Sequence, residues 1–246
     1  MTYSIFTDQM FFVMLGIGAL FIGMAFLLNK SNAKLLLSGY NTMSAEKQAK
    51  FPIEAYLKRF KQFHLYLGVS FIAVGTLVGL LFGTRYLGLF IGLYPLFAYA
   101  YFIYNSKEFD ENRKRMYQLA AVSLVVMALV IAGLFFRGLE ETKIQFSENA
   151  ITITGSYGLT VQSSELVEIH YFEDFSKFKA TKRNGFAIDK IKKGNFKTAS
   201  GDVLLLINDT SQPVIGIKRM KEKPIYVSGT FEEFEQILEL ESKNSR

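Results

Sequence analysis

Four stretches of this chain are apolar almost without interruption, and everything after residue 136 alternates instead. The four run over approximately residues 10–28, 65–82, 86–104 and 117–136, and none contains an Asp, Glu, Lys or Arg. About 20 such residues cross the roughly 30 Å hydrocarbon layer of a bilayer. Lipid offers a bare peptide group no hydrogen-bond partner, so each stretch is predicted to be a transmembrane α-helix. From residue 137 the period falls to two, in "KIQFS", "AITITG", "LTVQ", "LVEIHYF", "KFKATKR", "DVLLLIN", "VIGIKR" and "PIYVSG". Turn signals fall at Glu148-Asn149, Gly155-Ser156, Asn184-Gly185, Lys193-Gly194-Asn195, Asn208-Asp209 and Ser211-Gln212-Pro213. Seven or eight short antiparallel strands are expected. A final helix is announced by a capping box, Thr230 with Glu233, and by an apolar stripe of Phe231, Phe234, Ile237 and Leu238. The chain thus divides into a four-helix transmembrane domain, residues 1–136, and a water-facing domain, residues 137–246, joined by a short link near Arg137 to Glu141.

The distribution of charge sharpens this division. The net charge of +6 and a pI near 9.3 would suggest nucleic-acid binding in a soluble protein. Residues 1–136 carry 12 Lys+Arg against 6 Asp+Glu, however, and residues 137–246 carry 16 of each. The whole excess lies in loops beside the spans, where basic residues set orientation. Nucleic acid is therefore not an expected partner. Residues 29–64 hold seven Lys or Arg, residues 83–85 one, and residues 105–116 four alongside Glu108, Asp110 and Glu111. The first and third loops are expected in the cytoplasm, which places the N-terminus and the water-facing domain outside it. The N-terminus has no basic region ahead of its apolar run, so that run is expected to be retained as a span.

Residues 83–85 alone join the second and third spans, which must be antiparallel neighbours. Gly75, Gly79 and Gly83 recur every four residues, as do Gly88 and Gly92. That spacing lets helix backbones approach closely in lipid, although glycine is also simply frequent in membrane helices. Pro95 is expected to kink the third span. With no ionisable group inside a span, ion or proton coupling is not expected.

Residues 35–51, "LLLSGYNTMSAEKQAKF", follow the first span. Gly39 is predicted to end that helix, Asn41 and Thr42 suit a turn, and Ser44 is a good N-cap for a short helix. Pro52 then ends that helix or begins the next, whose Ile53, Tyr56, Leu57, Phe60 and Phe63 run amphipathically into the second span. An elbow at the membrane surface is the structural interpretation, and a ligand site the functional one. The segment resembles a family of bacterial membrane proteins defined only as a domain of unknown function, over roughly residues 8–105. The resemblance implies a bacterial cell membrane protein and no assigned activity.

The water-facing half has a resemblance of its own. Leu166-Val167-Glu168-Ile169, Lys182-Arg183-Asn184-Gly185, Lys193-Gly194-Asn195-Phe196 and the late "TFEEFEQIL" helix are similar to bacterial pleckstrin-homology-like domains, over about residues 140–243. This implies an antiparallel β-barrel with one open end plugged by the C-terminal helix. It also implies a scaffold for binding lipids, peptides or other subunits, among which fold alone does not choose.

Candidate chemistry is sparse. The absence of cysteine excludes disulfides, iron–sulfur clusters and thiolate zinc sites. His64 and His170 are isolated, so no metal or other cofactor is expected. Glu173 and Asp174 are adjacent, which on a strand end puts them on opposite faces, whereas an acid/base pair must share one substrate. No nucleophile elbow or phosphate-binding loop occurs, and Gly16-Ile17-Gly18 lies within a span. No catalytic residue is nominated. Charge is more informative: residues 177–223 hold 12 Lys+Arg against 4 Asp+Glu. Lys182, Arg183, Lys190, Lys192 and Lys193 surround two expected turns, with Phe186, Ile188 and Ile191 between them. They are candidates to hold a phosphate head group or to rest on anionic lipid. Alternatively, these charges only keep an edge strand from aggregating.

The expectation from sequence is a non-enzymatic, multi-pass bacterial cell membrane protein that presents a binding or assembly module at the membrane surface. Its partners would be the lipid bilayer, anionic lipid head groups, and a membrane protein or a second copy. One alternative is a small membrane enzyme or transporter component, with a cavity lined by groups such as Thr76, Tyr94 or Gln118. Another is a purely structural subunit, packed through its glycines.

Overall fold

The computed structural model describes residues 9–109, 113–220 and 222–244. Asp110 and Glu111 of the third loop, Lys221 of the basic segment and most of the stretch before the first span lie outside them. The chain forms two compact units that divide between Gly133 and Leu134. Among the described residues four helices are long and apolar enough to cross a membrane: Gln9–Leu27, Ile53–Phe82, Thr84–Phe109 and Lys114–Leu139. These are the helices of a multi-pass membrane protein.

In the first unit, α1 (Gln9–Leu27) packs along α5 (Ile53–Phe82), which is followed by α6 (Thr84–Ser106). Three short helical turns, α2 (Ala33–Leu36), α3 (Ser38–Asn41) and α4 (Ala45–Lys50), lie between α1 and α5. Gly39 does not end the first span as expected, because it sits inside α3. Asparagines do that work: the Asn32 amide donates to the Leu27 carbonyl at 2.7 Å, and the Asn29 carboxamide oxygen accepts from the Ser31 and Asn32 backbone. Ser44 caps α4 as predicted, accepting from Lys47 N–H at 3.4 Å. The Gln48 amide donates to the carbonyls of Tyr40 and Met43. The Tyr40, Phe51, Tyr56 and Phe109 rings form a chain with centroids 5.4–6.3 Å apart. Residues 35–51 are thus a braced elbow.

α5 and α6 are separated by Gly83 alone, whose φ of +82° suits glycine because it lacks a Cβ. One face of α5 is buried through His64, Leu67, Gly68, Phe71, Gly75 and Gly79. A close approach lies at Gly18 of α1 and Gly68 of α5, where a methyl group on either would overlap Ile72 or Ile22 of the facing helix. A side chain at Gly75 would strike Met14. Of the glycines expected to pack helices, Gly75 and Gly79 lie on this buried face, while Gly83 makes the hairpin. Gly88 would meet nothing within 4 Å and Gly92 only Ile131, at 4.0 Å, so α6 does not use its pair for close packing within the unit. α7 (Lys114–Leu139) is the fourth crossing helix, and its last turn belongs to the second unit.

The second unit holds two sheets. β1 (Ile144–Phe146), β2 (Ala150–Ile153) and β3 (Leu159–Gln162) form an antiparallel meander. The larger sheet comprises β4 (Leu166–Phe172), β5 (Thr181–Ile188), β6 (Ile191–Thr198), β7 (Gly201–Ile207), β8 (Val214–Arg219) and β9 (Ile225–Ser228). Their spatial order is β4-β8-β9-β7-β6-β5. The expected closed antiparallel barrel is corrected: this sheet is open and mixed, because β9 inserts between β7 and β8 and pairs parallel to β7, Leu205 opposite Tyr226. The physical reason lies in β7. Its run Val203–Ile207 is buried on both faces, so the sheet needs cover on each side.

One face, with Leu204, Leu206, Ile215 and Ile217, packs against the small sheet and α8 (Phe231–Asn244). The other face, with Val203, Leu205 and Ile207, is covered by Phe175 and, partly buried, Phe178. Those two rings stack at 4.2 Å. The segment expected as the strand "KFKATKR" is therefore a strap over this face as far as Ala180, and only from Thr181 does it join the sheet. The α8 capping box forms as predicted, with Glu233 N–H donating to Thr230 Oγ1 at 3.2 Å and Thr230 N–H to Glu233 Oε2 at 2.7 Å. The buried stripe is instead Phe234, Ile237 and Leu240, at i, i+3 and i+6, with Leu238 exposed. The helix thus lies across one sheet face, not in a barrel mouth.

Placing a bulky side chain at the α1–α5 crossing should be costly, since overpacking a fitted interface costs about 1–3 kcal/mol. Gly68→Ile is expected to lower the thermal unfolding midpoint of the detergent-solubilised chain by several degrees. Gly88→Ile should leave it unchanged, and equal drops for the two would contradict the crossing described.

Candidate functional site

The five basic residues picked from sequence all belong to the β5–β6 hairpin, but not where the turn signals put them. Asn184-Gly185 and Lys193-Gly194 lie within the strands, directly opposite one another, with Gly185 paired to Gly194. A side chain on either glycine would overlap the facing backbone, and Gly194 has a φ of +115°. The glycines accompany a bulge between Lys182 and Asn184. The real turn is at Asp189, with φ +53°, and Lys190.

This register spreads the five apart. Lys190 is at the turn, donating to Ser211 Oγ at 2.9 Å and lying 3.9 Å from the Asp209 carboxylate. Lys182 and Arg183 are near the other end of β5, and Arg183 pairs with Asp202 at 3.5 Å. Lys192 and Lys193 are successive strand residues and point to opposite faces. Lys192 is half-buried, while the Lys193 side chain is fully buried, its ammonium donating to the Glu140 carbonyl. No single patch contains all five.

The fold instead gathers Arg183 with two lysines that sequence reasoning passed over. Lys179, Arg183 and Lys197 line an open cleft of about 660 Å³, with Thr181, Thr198 and Phe178. β5 is the edge strand, Thr181 lies directly opposite Lys197 in β6, and Phe178 belongs to the strap. The signal was available: Lys179, Thr181 and Arg183 alternate at period two, which puts them on one side of an extended segment. Three cations face one carboxylate, Asp202, and its half-exposed pair with Arg183 contributes under about 1 kcal/mol. Such a cleft favours an anion, with the arginine fork and the Thr181 hydroxyl as donors, while the Thr198 hydroxyl donates to the Gly201 carbonyl at 2.9 Å.

Lys193 has a different role. It faces the last turn of α7, together with Ser156, whose hydroxyl donates to the Arg137 carbonyl at 2.7 Å. Both thus donate to carbonyls at the helix end, where that of Arg137 otherwise accepts only from Glu140 N–H at 3.3 Å among the backbone donors, and a cation there also suits the helix dipole. Just beyond, the Asn208 carboxamide accepts from Thr142 N–H at 3.0 Å and donates to its carbonyl at 2.8 Å. Gly138 rests against the Phe186 ring, which meets Phe135 edge-on at 5.9 Å.

The remaining candidates have local partners. His170 contacts Glu168 at 2.9 Å, and Lys218 beside Glu168 holds that carboxyl below its ordinary range. Asp174 accepts from the Ser176 backbone and hydroxyl, and these bonds lower its pKa. His64 is buried among aromatic rings, with its nitrogens 2.8 Å from the Phe60 carbonyl and 3.1 Å from the Tyr99 hydroxyl. Among the described residues no cluster of three or more His, Asp or Glu has a metal-binding arrangement.

Residues 15–110 match the model of a family described as a domain of unknown function, DUF3784. The match takes in α1 from residue 15, the elbow and the second and third crossing helices, and ends before α7 and the β unit. No curated protein and no solved structure matches the chain.

Burial lowers the Lys193 pKa from its ordinary 10.5, against the opposing pull of Glu140 and Glu141. The unfolded chain then keeps this proton to higher pH than the folded one, so stability must rise with pH between the depressed folded value and 10.5. That increment should vanish in Lys193→Met, measured as the wild-type-minus-variant difference in unfolding free energy. At lower pH the variant should be less stable than wild type by about 1–3 kcal/mol, because methionine leaves the Glu140 carbonyl without its donor.

Proposed function

We propose that this chain is a non-enzymatic, multi-pass protein of a bacterial cell membrane that displays a module for binding or assembly at the membrane surface. Its β unit serves the role that pleckstrin-homology-like domains serve, and residues 35–51 are the structural mark of its three-helix segment. The observation that carries this view is the convergence of Lys179, Arg183 and Lys197, with the Thr181 hydroxyl, on one open cleft. The preferred ligand is an anionic group, on a lipid or on a membrane protein partner.

Two of the three polar groups expected to line a cavity between the spans are bonded internally. Tyr94 donates to Ser70 at 2.8 Å and Thr76 to the Ile72 carbonyl at 2.8 Å, so both hydroxyls are used in internal bonds. The groove between α5 and α6, about 570 Å³, is lined by residues such as Val78, Phe82, Leu89 and Phe97, which suits acyl chains rather than a polar substrate. A structural subunit remains the second reading, favoured by Gly88 and Gly92, whose open backbone would let another helix approach.

Each cation near anionic charge contributes about 1 kcal/mol. The triple variant Lys179→Ala, Arg183→Ala, Lys197→Ala should therefore bind pyrophosphate roughly 100-fold more weakly than the intact detergent-solubilised chain. Lys190→Ala, at the far end of the hairpin, should bind as wild type does in calorimetric titration. Absence of pyrophosphate binding by the intact chain would refute the anion cleft.

Basic residues in the first and third loops favour a cytoplasmic location for those loops, with the β unit outside. Protease added to cells whose outer face is accessible should remove the β unit. Digestion only after lysis would reverse the orientation.

A further inference from the structure

The apolar run of α7 ends at Phe136, and Arg137 is its first charged residue after Arg115. The last turn of this helix is therefore where it passes from hydrocarbon to head groups. At that turn a second cavity opens, about 510 Å³ in volume. Leu134 and Arg137 of the helix line one side, and Tyr157, Asn184 and Phe186 of the β unit line the other. All of them belong to the same compact unit. Its size falls among cavities that hold small ligands, roughly 300–1,000 Å³.

Both walls are held in place without a ligand. Ser156 caps the Arg137 carbonyl, Lys193 caps that of Glu140, and Gly138 leaves room for the Phe186 ring. Tyr157, at φ +69°, is one of two described non-glycine residues in the left-handed region, where Cβ crowds the following carbonyl. It sits between Ser156, which caps the helix, and Gly158. The chemistry is two-sided. Leu134 and Phe186 are apolar, whereas Arg137, Asn184 and Tyr157 offer a charged fork, an amide and a hydroxyl. A planar guanidinium suits a phosphate, whose oxygens accept its paired N–H groups. Of the two acids that follow the helix, Glu141 is 3.4 Å from Lys143 and Glu140 is exposed.

We propose that this cavity is a head-group site for an anionic glycerophospholipid. Arg137 and Asn184 hold the phosphodiester, Tyr157 closes over the glycerol side, and Leu134 and Phe186 receive the first carbons of the chains. This site is separate from the Lys179–Arg183–Lys197 cleft and does not depend on it.

The test uses the intact chain, delipidated in detergent and titrated with phosphatidylglycerol, with retained lipid counted by native mass spectrometry. One tightly held lipid per chain is expected. Arg137→Gln with Asn184→Ala should weaken it at least tenfold, and Arg137→Lys, which keeps the charge and the helix end, several-fold. Lys218→Gln, whose partner Glu168 lies outside the cavity, removes one positive charge and should have no effect, as should the triple variant of the cleft, so the two sites stand or fall separately. Glycerol 3-phosphate, which lacks acyl chains, should bind at least tenfold more weakly than the lipid. Equal losses in the Arg137→Gln variant and in Lys218→Gln, full retention in both Arg137 variants, or equal affinity for glycerol 3-phosphate would each overturn the assignment.

Discussion

A backbone carbonyl that water cannot reach must find a donor, and this chain is organised around that requirement. Within the bilayer the α-helix meets it residue by residue, but every helix end leaves carbonyls over. At α1 the Asn32 amide takes one. At α5 the chain turns on Gly83, whose N–H returns to the Gly79 carbonyl. At α7 the donors come from far along the sequence, from Ser156 and from a fully buried lysine. The last turn of the fourth crossing helix is consequently built as part of the β unit.

The β unit has its own governing feature, a central strand buried on both faces. Val203–Ile207 carries leucine and isoleucine to either side of the sheet, so each side must be covered. The three-stranded meander and α8 cover one, and the Phe175–Phe178 strap the other. With both faces occupied, closing the sheet into a barrel would expose one apolar layer. An open sheet with β9 inserted in parallel keeps both layers dry, and it leaves β5 as a basic edge. Lys182 and Arg183 on that edge also discourage strand addition, so the charge that shapes the cleft protects the fold as well.

The family match and the packing divide the chain in a related way. The domain of unknown function ends at residue 110, just after the three helices that pack on one another. The fourth span and the β unit lie beyond it.

Much of this could be read from the order of residues alone, and the reason is that lipid is an unforgiving solvent. Four uninterrupted apolar runs can only be helices, and the alternating remainder with a Thr230–Glu233 box can only be strands and a cap, because those patterns are local. What stayed hidden depends on register and on distant partners. Asn184-Gly185 and Lys193-Gly194 look like turns until the strands are paired and the glycines meet across a bulge. Lys193 looks solvated until a helix end arrives to use its proton. Lys179 and Lys197 gain meaning only when Thr181 is set opposite Lys197. Gly18 and Gly68 become the tight crossing only once α1 lies against α5. Local periodicity decides what each segment becomes, and tertiary structure decides which charges share a cleft, because cross-strand pairing and helix contact are set by burial across the whole unit.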